Sequence, residues 1–165
     1  MSRPVVRPSA RVVVLDPDGR MLLFGARLAG PGGPPGAVLF WYPPGGGVED
    51  GEPLRATAVR ELAEEIGLVV DAQRLEGPVW LRRHLSAWGE RTLDNRETYF
   101  VLRDVVHEVD VSGQTELEAF ADQPYRWWTA EEIAASGETF VPRELGAVLP
   151  PLLEGPWTGP PRIVV

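Results

Sequence analysis

The stretch GGGVEDGEPLRATAVRELAEEIGL, residues 45–68, decides the fold of this chain. Residues 54–66 contain no Gly or Pro, and they are dominated by Ala, Leu, Arg and Glu, which are strong helix formers. Pro53 suits the start of a helix, and Gly67 suits the left-handed residue that ends one. The stretch therefore predicts a helix that follows a glycine-rich loop.

The predicted helix separates an apolar face from an acidic one. At about 100° per residue, apolar side chains gather on one side: Ala58, Val59, Leu62, Ala63 and Ile66. Glu61, Glu64 and Glu65 gather on another side, at the i, i+3, i+4 spacing that makes side chains neighbours. Each pair of these charges repels by roughly 3 kcal/mol at an effective dielectric of 20. A bound divalent cation would reverse that cost, whereas the alternative interpretation is a solvated acidic helix face.

The loop before the helix favours the metal-site interpretation. Gly45, Gly46 and Gly47 have no side chains, so the backbone can approach a ligand closely. The free N–H groups at the start of the helix can contact a phosphate oxygen. Carboxylates that suit a metal, placed beside a loop that suits a phosphate, indicate pyrophosphate chemistry.

These residues also resemble the signature of the Nudix hydrolase family, and every specified position of that signature matches over residues 46–68. The specified positions are Gly46, Glu52, Arg60, Glu61, Leu62, Glu64, Glu65, Gly67 and Leu68. The WYPPGGG and YRWWTAEEI segments resemble the family more loosely, so the resemblance covers most of residues 10–154. It implies an α/β fold, an α/β/α sandwich with a mixed β-sheet. We expect one domain over residues 1–165, with loosely held tails at about residues 1–8 and 155–165.

The resemblance further implies an activity and a site. The activity is hydrolysis of the pyrophosphate linkage in a nucleoside diphosphate joined to another moiety. The cofactor is Mg²⁺, for which Mn²⁺ can substitute, and its implied ligands are Glu61, Glu64, Glu65 and the backbone carbonyl of Gly46. Arg60 would orient a carboxylate, with Glu52 as its partner. On energetic grounds alone, that pair is equally well read as a surface ion pair worth under about 1 kcal/mol.

The general base and the substrate ligands are less narrowly defined. The base is implied to be Glu61 or a glutamate of the later GQTELEAF segment, Glu116 or Glu118. Arg27 resembles a basic position of the family, and with Gly45, Gly46 and Gly47 it is the candidate substrate-binding set. Three other arginines are read as surface charge, although each could pair with a phosphate: Arg82, Arg83 and Arg96. Most of five tryptophans are expected in the core, although one could stack on a nucleobase: Trp41, Trp80, Trp88, Trp127 and Trp128.

Composition limits the partners. With 24 acidic and 16 basic residues the formal net charge is −8, which argues against a polynucleotide or an anionic membrane as partner. The absence of Cys excludes disulfides and thiolate chemistry, and no stretch reads as a signal peptide or a membrane span. We expect a cytoplasmic protein that binds a small nucleotide-type substrate. The sequence leaves a homodimer open.

Outside the helix, strands and helices are predicted in irregular alternation. The predicted elements are a hairpin around Asp16–Gly19, a strand in AVLFWYPP, strands in PVWLRRHLSAW and ETYFVLRDVV joined by a GERTLDNR turn, a helix opened by Thr129 with Glu132, and a last helix containing Pro150 and Pro151. RIVV at the end of the sequence could add an edge strand. The segment LAGPGGPPGAVL is too rich in Pro and Gly for regular structure.

The substrate is not set by the sequence. Position 84 is His, where Nudix subfamilies with added markers call for Pro or Tyr, which leaves a nucleoside triphosphate or an ADP-sugar. The alternative function is a catalytically silent Nudix-fold nucleotide sensor. An acidic protein-interaction domain is a third reading.

Overall fold

In a computed structural model, which describes residues 3–27, 36–113 and 124–165, the chain forms two β-sheets flanked by helices. The strands are β1 (Val5–Val14), β2 (Met21–Arg27), β3 (Val38–Tyr42), β4 (Gly45–Gly47), β5 (Glu76–Trp88), β6 (Arg91–Leu102), β7 (Tyr125–Trp128) and β8 (Arg162–Val164). The helices are α1 (Leu54–Ile66), α2 (Ala130–Ala135) and α3 (Leu145–Leu153). A short 3₁₀ turn covers Ala72–Arg74.

The larger sheet is mixed, as the resemblance predicts. Its strand order is β4-β1-β6-β5-β8. The pairs β1–β6 and β5–β8 are parallel, whereas β1–β4 and β5–β6 are antiparallel. The smaller sheet, in the order β3-β2-β7, is antiparallel throughout. The β1–β6 pairing places the first strand beside a strand some 90 residues later, which sequence periodicity does not reveal.

The helices pack on both sides of the sheets through apolar side chains. On one side, α1 packs Leu62 and Ile66 against Val12 and Phe100. On the other side, α2 and α3 cover a cluster that includes the fully buried Trp80. The α/β/α sandwich is therefore confirmed.

Helix α1 has the boundaries that its sequence predicts. Pro53 precedes it in an extended conformation, where its missing N–H leaves no intrahelical bond unmade. Gly67 ends it with φ +70°, donating to the carbonyl of Ala63, and Leu68 donates to the carbonyl of Leu62. These two bonds satisfy carbonyls at the end of the helix.

Two predicted connections differ from the structure. The predicted hairpin makes a turn at Asp16, whose carboxylate accepts from the N–H groups of Asp18 and Arg20. Beyond the single bridge between Leu15 and Met21, however, β1 and β2 enter different sheets. The predicted GERTLDNR turn, residues 89–96, is also wrong, because β5 continues to Trp88, the turn is confined to residues 89–90, and β6 begins at Arg91.

Described residues near both ends of the chain form strands of the larger sheet. Residues 5–8 pair with β6, and the predicted RIVV strand is confirmed as β8 beside β5. Helix α2 has the predicted capping box of Thr129 and Glu132. Both prolines of α3 lie inside the helix. Within the described residues, no helix is long and apolar enough to cross a membrane.

Candidate active site

Strand β4 holds the glycine loop against helix α1. Its pairing with β1 sets Gly46 opposite Ala10. The N–H of Gly45 donates to Oε2 of Glu65 at 2.8 Å. Gly45 has φ +140°, a conformation that L side chains rarely adopt. At Gly46, a Cβ atom would lie within 2.9 Å of Oε2 of Glu61, so only glycine lets that carboxylate lie against the loop.

Arg60 ties the carboxylates of the helix to the loop. Its Nε and Nη2 atoms donate to the two carboxylate oxygens of Glu52 at 2.9 and 3.0 Å. Its Nη1 lies 3.1 Å from both Glu61 and Glu64, and its Nη2 donates to the carbonyl of Gly47 at 3.0 Å. The hydrogen bonds from Arg60, followed by one from Thr57, lower the pKa of Glu52 to about 2.

The three clustered glutamates have different environments. The side chain of Glu64 is 50% exposed, that of Glu61 is 12% exposed, and Glu65 is buried. Burial raises the pKa of Glu61, against the opposing effect of Arg60. Because Glu61 is the less exposed of the two, its charge loses more hydration on folding than the charge of Glu64 does.

The donor set suits a hard divalent cation. Among the described residues, no three carboxylate, imidazole or thiol groups are placed as a complete ligand set. The carboxylate of Glu64 is bound to Arg60, and that of Glu65 accepts a hydrogen bond from the N–H of Gly45. Carboxylate oxygens and backbone carbonyls are nevertheless the ligands that Mg²⁺ and Mn²⁺ prefer. A cation bound at Glu61 and Glu64 would supply the positive charge that Arg60 supplies in this structure.

A cavity of about 610 Å³ opens beside the loop, and both Glu61 and Glu65 line it. Phe40 and Tyr42 of β3 form an aromatic wall, with ring centroids 5.8 Å apart. The floor is the face of the larger sheet formed by β1, β6 and β5. The cavity therefore combines acidic groups, an aromatic surface and a polar floor.

Glu97, which the sequence analysis did not single out, is the centre of that floor. Its Oε2 accepts from the hydroxyl of Tyr99 at 2.8 Å and from Arg82 at 3.1 Å, and its Oε1 lies 3.5 Å from Arg11. Burial would raise the pKa of Glu97, but Arg11, Tyr99 and Arg82 together hold it below its usual value. Arg11 also donates to the carbonyl of Gly45 at 2.9 Å, which links this network to the loop.

Positive groups surround the same cavity. The Nε atom of Arg82 is buried and has no hydrogen-bond partner in the described part of the chain. His84 lies 2.8 Å from Arg82, and its pKa is lowered by burial and then by that arginine. Arg7 also lines the cavity. Arg82 and Arg7 are placed to receive an anionic ligand.

The structure separates the predicted arginines. Arg82 lines the cavity, whereas Arg83 and Arg96 bind Asp94, whose strand position faces the other side of the sheet. Arg27 lies at the end of β2. Its neighbour Ala26 lines the cavity, whereas Arg27 is not among the described residues that do. The candidate bases Glu116 and Glu118 lie outside the described residues.

The tryptophans are mostly structural, as expected. Trp41, Trp80 and Trp128 are buried in the cluster under α2 and α3, and the partly buried Trp127 packs against the cluster under α1. Trp88 is the exception, since 68% of it is exposed.

Comparison with known proteins decides the family. The NUDIX domain matches residues 5–148. This chain belongs to the Nudix family. Nudix hydrolases act on pyrophosphate bonds and generally use divalent metal cations, so the chain is a hydrolase of acid anhydrides.

Named relatives and solved structures agree with this assignment. An RNA pyrophosphohydrolase of Cereibacter sphaeroides (strain KD131 / KCTC 12085) is 30% identical over 140 residues, which are 79% of this chain and 80% of the relative. One of Caulobacter vibrioides (strain NA1000 / CB15N) is 31% identical over 161 residues, 88% and 83% of the two chains. The Escherichia coli dihydroneopterin triphosphate pyrophosphohydrolase is a structural neighbour, with TM-score 0.62, 21% identity and coverage of 92% and 99%. A MutT protein of Methanosarcina mazei Go1 has TM-score 0.61, 18% identity and coverage of 94% and 100%. The two structures share the fold.

Proposed function

We propose that this Nudix hydrolase cleaves the pyrophosphate linkage of a nucleotide, with Mg²⁺ held by Glu61, Glu64, Glu65 and the carbonyl of Gly46. The observation that carries the proposal is the contact of the Glu61 carboxylate with the glycine loop, inside a cavity lined also by Arg82, whose buried Nε has no hydrogen-bond partner among the described residues. This brings oxygen ligands for a metal next to donors for a phosphate.

In this proposal, the charged residues of the site have different roles. Arg60 orients Glu61 and Glu64, because one of its nitrogens contacts both. Arg82, which lines the cavity, binds phosphate oxygens. A divalent cation held by these carboxylates would offset the negative charge of the pyrophosphate and make a bound water easier to deprotonate. Glu61 is the candidate base among the described residues, because its carboxylate lies in the cavity against the loop that would hold the metal.

The nucleoside is placed by the aromatic wall. Phe40 is partly exposed at the cavity, so its ring and that of Tyr42 offer a surface for a base. A nucleoside triphosphate or an ADP-sugar fits this description, since each combines one nucleoside with a pyrophosphate.

A second candidate substrate is the 5′-triphosphate end of an RNA. It is favoured by the two relatives named RNA pyrophosphohydrolase, which align over four fifths of their own length or more. The net charge of −8 opposes an extended polynucleotide surface. A single 5′ end needs only local positive charge, and the cavity arginines provide it.

The test is a hydrolysis screen. Nucleoside triphosphates, ADP-ribose, dinucleoside polyphosphates and a 5′-triphosphorylated RNA are each incubated with Mg²⁺, Mn²⁺ or EDTA. We expect metal-dependent release of phosphate or pyrophosphate from at least one of them. Glu64→Gln should lower kcat/KM by about 100-fold or more, as removal of one electrostatic group at a reacting centre does.

The exposure of Glu64 makes this substitution mild for the fold. Glu131→Gln, an equally conservative change on the exposed surface of α2, is the matched control. Nucleotide binding with no turnover under any condition would instead assign the chain to the silent sensors. Unchanged activity in Glu64→Gln would remove the metal role of that residue.

A further inference from the structure

The sheet face that forms the floor of the active-site cavity continues well beyond it. Directly paired residues on neighbouring strands share a face, and so do residues two apart along a strand. The registers of β1, β6 and β5 therefore stack side chains in rows: Ser9 with Glu97 and Arg82, then Arg7 with Asn95 and His84, then Val5 with Leu93 and Ser86, and finally Arg91 with Trp88. Successive rows lie about 7 Å apart.

A second cavity lies over the outer rows, and we name it the distal groove. It has a volume of about 540 Å³, and its lining includes Val5, Val6, Arg7, Trp88 and Leu93. Trp88 is 68% exposed, and Val5 and Val6 are 46% and 49% exposed. Large apolar side chains grouped around a concave surface are typical of a ligand site.

Arg7 connects the distal groove to the active-site cavity. It is a lining residue of both. Its Nε lies 3.7 Å from the position that a Cβ atom on Gly47 would take, so the guanidinium lies over the glycine loop. Among the residues that the structure describes, Arg7 has no ion-pair or hydrogen-bond partner. Arg7, a cation with no counter-charge bound to it among the described residues, therefore lies between the two cavities.

We propose that the distal groove binds the second nucleotide of a 5′-phosphorylated RNA, with its base on Trp88 and the connecting phosphodiester at Arg7. The charge sequence fits this occupant: a polyphosphate beside the carboxylate cluster, a single negative charge at Arg7, and a flat apolar group at the outer end. Bases stack on exposed aromatic rings regardless of their identity. The inference rests on the proposed function, because it places the 5′ end in the active-site cavity.

The geometry also explains how a strongly acidic protein can take such a substrate. One guanidinium and one indole contact the second nucleotide, and no extended basic surface is needed. The protein would then contact the first two nucleotides of an RNA and leave the remainder in solvent.

Binding to products tests the subsite without turnover. Calorimetry in EDTA compares AMP with the 5′-phosphorylated dinucleotide pApA. The wild-type protein should bind pApA about tenfold more tightly than AMP, a gain expected from one stacked base. Trp88→Ala should lose that gain and leave the AMP affinity unchanged, whereas Trp88→Phe should keep most of it.

Leu85→Ala is the matched control. Leu85 is on the same strand, is 61% exposed and faces the other side of the sheet, so its loss should change neither affinity. Equal affinity for AMP and pApA in the wild type, or an undiminished gain in Trp88→Ala, would overturn the proposal. Diadenosine tetraphosphate is titrated in the same way. A gain in affinity over AMP that depends on Trp88 and appears with this compound but not with pApA would also overturn the proposal.

Two other outcomes separate the competing explanations. If Trp88→Ala changes the oligomeric state and keeps the dinucleotide gain, the groove binds a second copy of the chain and the proposal is wrong. If no nucleotide is hydrolysed with metal but the Trp88-dependent gain is present, the proposed function fails and the subsite stands.

Discussion

Substitution of Gly46 by Ala should separate catalysis from stability. A Cβ atom at this position would lie 2.6 Å from Cδ of Glu61, whereas ordinary contact begins at 3.4 Å. The carboxyl carbon must therefore retreat by about 0.8 Å. Because the displaced group is the end of a flexible side chain, the fold should tolerate the change. Because a shift of this size at a reacting centre costs about 100-fold in rate, kcat/KM should fall by about that factor.

The assay pairs kinetics with unfolding. Initial rates on the best substrate of the hydrolysis screen give kcat/KM, and urea unfolding gives the stability of the same preparation. Gly137→Ala is the control, since no atom of the described residues lies within 4 Å of a Cβ added at Gly137, and its φ is not positive. Wild-type activity in Gly46→Ala would refute the reasoning that the Glu61 carboxylate acts at this loop. A large loss of stability would refute the claim that the side chain simply moves aside.

Two further predictions concern stability. Gly45→Ala should lower the free energy of unfolding by more than about 1 kcal/mol, because the φ of +140° at this position is strained for L residues and the added Cβ would lie 2.7 Å from Cα of Arg11 in β1. A free energy of unfolding in urea equal to that of the wild type would contradict this. Glu76 binds Arg103 at 2.7 and 3.0 Å, and these bonds, with one from the Trp157 N–H, lower its pKa. A lowered pKa stabilises the fold above the ordinary value of 4.5 and loses that effect as the pH falls. Glu76→Gln should therefore cost about 1–3 kcal/mol at pH 7, and its difference from the wild type should narrow at pH 4; a difference that widens there would contradict the sign.

Local signals predicted helix α1 and its capping. Its propensity, its apolar period and the flanking Pro53 and Gly67 all act within one stretch of chain, so they are readable without the fold. The same holds for the capping box at Thr129. The divergence of β1 and β2 was not predicted, because a turn at Asp16 and alternating apolar runs favour a hairpin whether or not the strands pair. The separation depends on β6, which lies far along the chain and pairs with β1.

In the candidate site, too, contacts within one helix could be predicted from the sequence, whereas contacts between strands could not. Glu61, Glu64 and Arg60 are neighbours on one helix, so their contacts follow from spacing. Glu97 and Arg82 lie opposite each other on two strands, and Arg11 joins them from a third. Period-two alternation in NRETYFVL places Glu97 and Tyr99 on one face, but only the strand order shows that this face is the floor of the cavity.

The central claim is that the carboxylates of α1 and the glycine loop hydrolyse a pyrophosphate linkage with the help of a divalent cation. The most direct measurement is the rate of nucleotide hydrolysis by the purified protein as Mg²⁺ or Mn²⁺ is titrated in from EDTA, with wild type and Glu64→Gln side by side. We predict no turnover in EDTA, saturable activation by metal in the wild type, and at least a 100-fold lower kcat/KM in the variant. Hydrolysis that proceeds equally well in EDTA, or that is the same in both proteins, would contradict the account.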